Sequence, residues 1–212
     1  MGNKPATKLR PADWDDLHQR TKFSDAEIQE WFKCFHKDCP TGQLTLEEFK
    51  SIYAQFFPAG DSSIFAEHVF KHFNTNGNNK ISFCDFLSGL SITAKGDLKQ
   101  KLEWTFGLYD ADKDGYISRQ EMLIIVDSIY KMIGPVMQLP EDESTPEKRT
   151  NKIFSTYDID RDGKLSPDEF ISGALSDPSI RHLLNVDKIQ TMTTDPVRSS
   201  ENNHSSTTRL HT

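Results

Sequence analysis

Cysteine is scarce in this chain of 212 residues: there are three, Cys34, Cys39 and Cys84, and none in CxxC spacing. An odd set spaced this way builds neither a disulfide frame nor a zinc knuckle, and it reads as thiols of a reducing cytosol. No apolar run approaches the ~18 residues that a membrane crossing requires. Lys4, Lys8 and Arg10 are basic, but no apolar stretch follows them, so a secretory leader is not expected. Basic excess is missing too. The 25 Lys+Arg stand against 32 Asp+Glu, a net charge of -7, which argues against nucleic acid as a partner. The chain also lacks a nucleophile–base pair, a phosphate-cradling loop and zinc-ligand spacing, so it does not read as an enzyme.

What is present is unevenly placed. Of the 14 phenylalanines, 11 precede Gly96, whereas residues 97–175 carry 16 acids against 10 bases. An apolar-rich first half and an acid-rich second half imply different work for each. A helix–turn–helix unit recurs along both. The first helix that the pattern predicts opens at Ser24-Asp25-Ala26-Glu27, a capping box, and continues through Ile28, Trp31, Phe32 and Phe35 on one face. A turn at Lys37–Gly42 leads to a second apolar face, Phe49, Ile52, Tyr53, Phe56 and Phe57. The later units centre on loops at Asn74–Asp85, Asp110–Glu121 and Asp158–Glu169. Residues 134–145, with Pro135, Pro140 and the acids Glu141, Asp142 and Glu143, read as a linker that ends where Thr145-Pro146 restarts a helix. Asp177-Pro178 opens a short last helix, and the Ser/Thr/Asn-rich tail from Thr191 is too polar to order itself.

Two of the loops carry a metal-ligand pattern. Asp110, Asp112, Asp114 and Glu121 occupy positions 1, 3, 5 and 12 of a twelve-residue turn, with Gly115 at position 6. Asp158, Asp160, Asp162 and Glu169 repeat this around Gly163. Position 7, Tyr116 or Lys164, adds a backbone carbonyl, and a two-oxygen glutamate brings the protein oxygens to six of the seven that calcium takes in an EF-hand, the last commonly a water. Ile117 and Leu165 are placed to pair the two loops across a short ribbon. The other two loops are altered. Lys37 puts a cation at position 1 of the first, with Cys39 at position 3, Pro40 between them and Glu48 left alone at position 12, so no calcium is expected there. The second loop has Asn74, Asn76 and Asn78 as neutral donors, Asn79 in the glycine position and one carboxylate, Asp85; it reads as a structural hand paired with its neighbour. The expected fold is therefore all-α, four EF-hands in two paired lobes. Residues 1–23 form an arm and the start of the first lobe, 24–95 the degenerate pair, 96–176 the calcium-binding pair, 177–190 a short helix and 191–212 a tail.

Four hands with the first disabled by Cys39-Pro40 resemble the neuronal calcium sensor family over residues 8–185. The strings at 27–31 (EIQEW), 65–70 (FAEHVF) and 140–150 (PEDESTPEKRT) are most similar to its hippocalcin, neurocalcin and visinin-like branch. The resemblance implies a calcium-dependent regulator with an acylated N-terminus, bends at Gly42 and Gly96, and an apolar groove on the first lobe. Trp31, Phe35, Phe49, Ile52, Phe56, Phe57, Phe86 and Leu90 match that groove. Its implied partner is a helix of a kinase, receptor or channel, together with peripheral membrane contact. Gly2 keeps the myristoylation glycine, although Ala6 stands where the pattern wants a hydroxyl. Cys39, beside Lys37 in a turn expected to be exposed, reads as an inert thiol. His68 and His72, one helical turn apart, lack a third metal ligand.

Overall fold

The computed structural model describes residues 8–74, 77–133 and 139–176 of the chain. Gly2, the helix expected at 177–190 and the tail at 191–212 lie outside the described residues.

Three of the four incoming helices open on a side-chain cap, at Ser24, Asp97 and Thr145, whereas Ser62 makes no such bond before the second hand. Helix α1 (Pro11–Arg20) precedes the hands. Helices α2 (Asp25–Asp38) and α3 (Leu46–Phe56) flank the first loop, and α4 (Ser63–Phe73) and α5 (Phe83–Lys95) the second. Helices α6 (Leu98–Tyr109) and α7 (Arg119–Ile133) flank the third, and α8 (Pro146–Tyr157) and α9 (Pro167–Ser176) the fourth. The capping box at Ser24 forms as expected: the Ser24 backbone N–H donates to Glu27 Oε2 at 2.8 Å. Thr145 caps α8, its Oγ1 accepting from the Lys148 N–H at 3.2 Å.

Within residues 1–23, read as an arm and the start of the first lobe, lies helix α1, which the sequence pattern does not announce. Its apolar content is Trp14 and Leu17 among three aspartates, too little for a periodic signal. Yet Leu17 is fully buried in the core and α1 packs on α5. Pro11 at the first helical position and the Arg10–Asp13 pair start it. Within the expected linker, Glu141–Glu143 forms a 3-10 turn, and Glu143 is buried against Arg149, itself 1% exposed.

Short antiparallel ribbons pair the hands. β1 (Gln43–Thr45) pairs with β2 (Lys80–Ser82), setting Leu44 opposite Ile81. β3 (Ile117–Ser118) pairs with β4 (Lys164–Leu165), setting Ile117 opposite Leu165 as the position-8 residues required. All four of these apolar side chains are buried, so each ribbon is pinned by the core beneath it.

The two pairs meet along a seam of named contacts. Asp61 N–H donates to the Lys131 carbonyl at 2.9 Å. Beside it, a Cβ on Gly60 would lie 2.1 Å from the Met132 carbonyl, so only glycine allows this approach. His72, from α4, packs edge-on against Trp104 of α6 at 4.8 Å between ring centres, and Phe73 meets the same indole at 5.7 Å.

Candidate metal centres

The third and fourth loops turn because their own carboxylates accept backbone N–H groups. Asp110 takes the N–H groups of Asp114 and Gly115, each at 3.1 Å, and Asp112 Oδ1 shares that of Asp114. Asp114 Oδ1 accepts from the Tyr116 N–H at 2.9 Å. The fourth loop repeats the set: Asp158 and Asp160 accept from Asp162, Asp158 from Gly163, and Asp162 from Lys164. These bonds draw the acids inward. Ligand oxygens of Asp110, Asp112 and Asp114 lie within 4.8 Å of one another, as do those of Asp158, Asp160 and Asp162. That span fits oxygens placed around one calcium ion at its usual ~2.3–2.6 Å.

Gly115 and Gly163 take φ of 89° and 85°, the left-handed turn required at position 6. Lys113 and Arg161, at position 4, are also left-handed, at 64° and 60°. Position 4 was not foreseen, because lysine and arginine carry no sequence signal for that conformation.

The closing glutamates serve two elements at once. Glu121 Oε1 reaches across its loop to the Ala111 and Asp112 N–H groups at 2.8 and 3.2 Å. Its Oε2 accepts from the Ser118 N–H and hydroxyl at 2.8 and 2.7 Å, capping α7. Burial opposes its charge, but the bonds from Ser118, Asp112 and Ala111 outweigh this and hold the carboxyl below the usual range. Glu169 does the same with Ser166 and the Ile159 N–H, and the Ser166 bonds hold its carboxyl low. The boxes at the loop ends, Thr45–Glu48, Ser118–Glu121 and Ser166–Glu169, share the spacing of the Ser24–Glu27 box.

One contact joins the two cages. Lys164 Nζ donates to Asp114 Oδ2 at 2.7 Å, holding that carboxyl below its ordinary range. The same ammonium lies 5.3 Å from the centre of the Tyr116 ring.

The first two loops are built differently. In the first, Cys39 is buried, 3% exposed, which corrects the expected exposed turn. Glu48 Oε2 accepts from the Thr45 N–H and hydroxyl, so its carboxylate caps α3. In the second, Asn79 is left-handed at φ 58°, as its place required. The Asn74 amide, oriented by its partners, donates to the Lys80 carbonyl and to Asn78 Oδ1 at 3.2 Å each and accepts from the Asn79 N–H. The Asn74 and Asn78 side chains thus bond each other within the loop. Its position-12 acid, Asp85, is 7% exposed, accepts from the Ser82 hydroxyl at 2.7 Å and lies 3.6 Å from Arg20 Nη2 of α1. Asn76 lies outside the described residues. Sequence offered no sign that a cation from α1 meets this acid.

The eight groove candidates divide by burial. Phe35, Phe49 and Leu90 are buried in the core, while Trp31, Ile52, Phe56, Phe57 and Phe86 are half-buried. Phe86 joins several rings, meeting Trp31 at 6.1 Å, Phe35 at 5.5 Å and Phe73 at 6.3 Å.

A search of family profiles matches an EF-hand domain pair at residues 99–175 and another at 40–90. The chain is 51% identical to neuronal calcium sensor 1 of Lymnaea stagnalis over 177 residues, 84% of this chain and 93% of that protein. It is 44% identical to human recoverin over 186 residues, 87% of this chain and 93% of recoverin. Visinin of Gallus gallus is 34% identical over 186 residues, 87% of this chain and 97% of visinin. With paired hands, two carboxylate cages and such relatives over most of its length, the chain belongs to the neuronal calcium sensor family.

Proposed function

We propose that this protein is a calcium sensor loaded at two sites, the third and fourth loops. Asp110, Asp112, Asp114, the Tyr116 carbonyl and Glu121 would hold one ion; Asp158, Asp160, Asp162, the Lys164 carbonyl and Glu169 the other. The observation that carries this is the contrast between loops: two gather three aspartates each, with a glutamate at position 12, while in the second the Asn74 amide bonds Asn78 and Lys80 and the first has a lysine at position 1. Four carboxylates offset the dehydration of a divalent ion, whereas a single one beside an arginine does not. Bound calcium would supply the charge that lets each cage close on its glutamate and shift the angle of the outgoing helix.

The output is a cytoplasmic event at the first lobe. The half-buried Trp31, Ile52, Phe56, Phe57 and Phe86 would open with Phe35, Phe49 and Leu90 beneath them into a groove for the apolar face of a target helix in a kinase, receptor or channel. A myristoyl chain on Gly2 would add peripheral membrane contact, with Lys4, Lys8 and Arg10 favouring anionic lipid. No described helix is long and apolar enough to cross a membrane, which fits attachment from one side.

Titration calorimetry on the purified chain tests the first part: two ions bound in the micromolar range are expected, and no heat would overturn the reading. A dye that reports apolar surface tests the second. Its fluorescence should rise with calcium, and a silent dye would leave a passive buffer. Intact mass of protein from native cells reads acylation at Gly2 directly.

A further inference from the structure

Position 7 of a calcium loop contributes its carbonyl, so its side chain is free to act elsewhere. In the third loop that side chain is Tyr116, and in the fourth it is Lys164. The ribbon register sets Lys164 opposite Ser118, which places its stem beside the other loop. The ammonium ends on Asp114 Oδ2 at 2.7 Å, over the Tyr116 ring, with Asp112 and Asp162 also contributing attraction. The arrangement is one-sided. Lys113, the lysine of the third loop, points away from both cages, to the Gly107 carbonyl and towards His72 Nδ1 at 3.5 Å.

We propose that Lys164 is a tethered competitor of calcium at the third loop: its side chain neutralises a ligand of the neighbouring site while its backbone carbonyl serves its own. Calcium entering the third loop needs the Asp114 carboxylate and brings two positive charges towards the ammonium. Binding there must therefore displace Lys164 or tolerate the repulsion. The fourth loop carries less of this burden: its acids have no cation from the third loop against them among the described residues, and Lys164 ion-pairs with Asp114 while Asp162 adds only a weaker attraction. Lys164 thus lowers the affinity of one site selectively and sets the gap between the two. This inference rests on the two-site reading above.

The test separates the loops on the full chain. Glu169→Gln disables the fourth site while keeping a side chain that can cap α9, and Glu121→Gln disables the third in the same way. Calcium affinity is then measured by calorimetry with and without Lys164→Gln. In the Glu169→Gln background, Lys164→Gln should tighten binding at the third loop by about two- to five-fold, the upper range of a partly exposed ion pair. In the Glu121→Gln background the change should be below about two-fold. Lys164→Arg, which keeps the cation, should retain the weaker affinity. No tightening in the first background, or equal tightening in both, would overturn the proposal. A parent chain that binds no calcium at either loop would instead bring down the two-site reading beneath it.

Discussion

At the scale of single residues, the protein places charge where burial makes it expensive, and it does so in pairs. Arg149 is 1% exposed and meets Glu143, whose other oxygen is 2.6 Å from Lys152 Nζ. Tyr130 donates its hydroxyl to the Glu143 carbonyl at 2.7 Å, so the turn is held from the core as well. Among the described residues, Nε and Nη2 of Arg149 have no acceptor, and Arg149 lines an apolar cavity with Tyr109, Met122, Ile153 and Phe170. Removing Glu143 would leave that charge buried without its counter-ion. Glu143→Ala should cost about 3–5 kcal/mol, read as a lower urea midpoint for the metal-free protein. Adding Arg149→Met should recover most of the loss, because the apolar cavity accepts a thioether. A double variant as unstable as the single one would show that the pair does not act as a unit.

At the scale of elements, the hand is one backbone used four ways. Outgoing helices share a Ser or Thr at position 9 that bonds the acid at position 12, whether or not the loop is equipped for metal. The fold of a hand is therefore separable from its charge. Reintroducing charge should then restore binding: Asn74→Asp, Asn76→Asp, Asn78→Asp and Asp85→Glu together should raise calorimetric stoichiometry from two ions to three. Adding Arg20→Ala should tighten the new site further, since Arg20 faces the position-12 carboxyl. A stoichiometry that stays at two would mean the second loop is closed by more than charge. The same separability explains what could be read in advance. Asp110 to Glu121 and Asp158 to Glu169 announce themselves because metal chemistry demands fixed residue types at fixed spacing. Ile117 and Leu165 follow because the ribbon demands apolar partners. Arg20 on Asp85 and Lys164 on Asp114 are contacts between separate helices or loops, and only the assembled structure brings them together. Helix α1 escaped notice because a single buried leucine, Leu17, anchors it to the core.

At the scale of the whole molecule, the two pairs are joined by packed side chains as well as by the chain at Gly96. Helix α4 of the second hand lies against α6 and α7 of the third. His72 is the centre of that contact, with Trp104 on its ring and Lys113 of the third loop nearby. Burial, with the Lys113 charge adding to it, pulls the His72 imidazole down to about 4. The sign of the resulting pH dependence follows. Above about pH 6.5, the ordinary value, His72 is neutral in folded and unfolded chains alike and adds no slope. As the pH falls from there towards 4, the unfolded chain takes up a proton that the folded seam excludes, so stability declines, and below 4 the loss is complete. The expected decline for the metal-free protein between pH 7 and pH 4.5 is on the order of 2 kcal/mol from this residue. His72→Gln should flatten that part of the curve in denaturant melts at the two pH values. It should leave a residual slope from His36 and His68, which burial also holds below the usual histidine value. An unchanged slope in the variant would show that the seam admits the proton freely and that the lobes are not joined through His72.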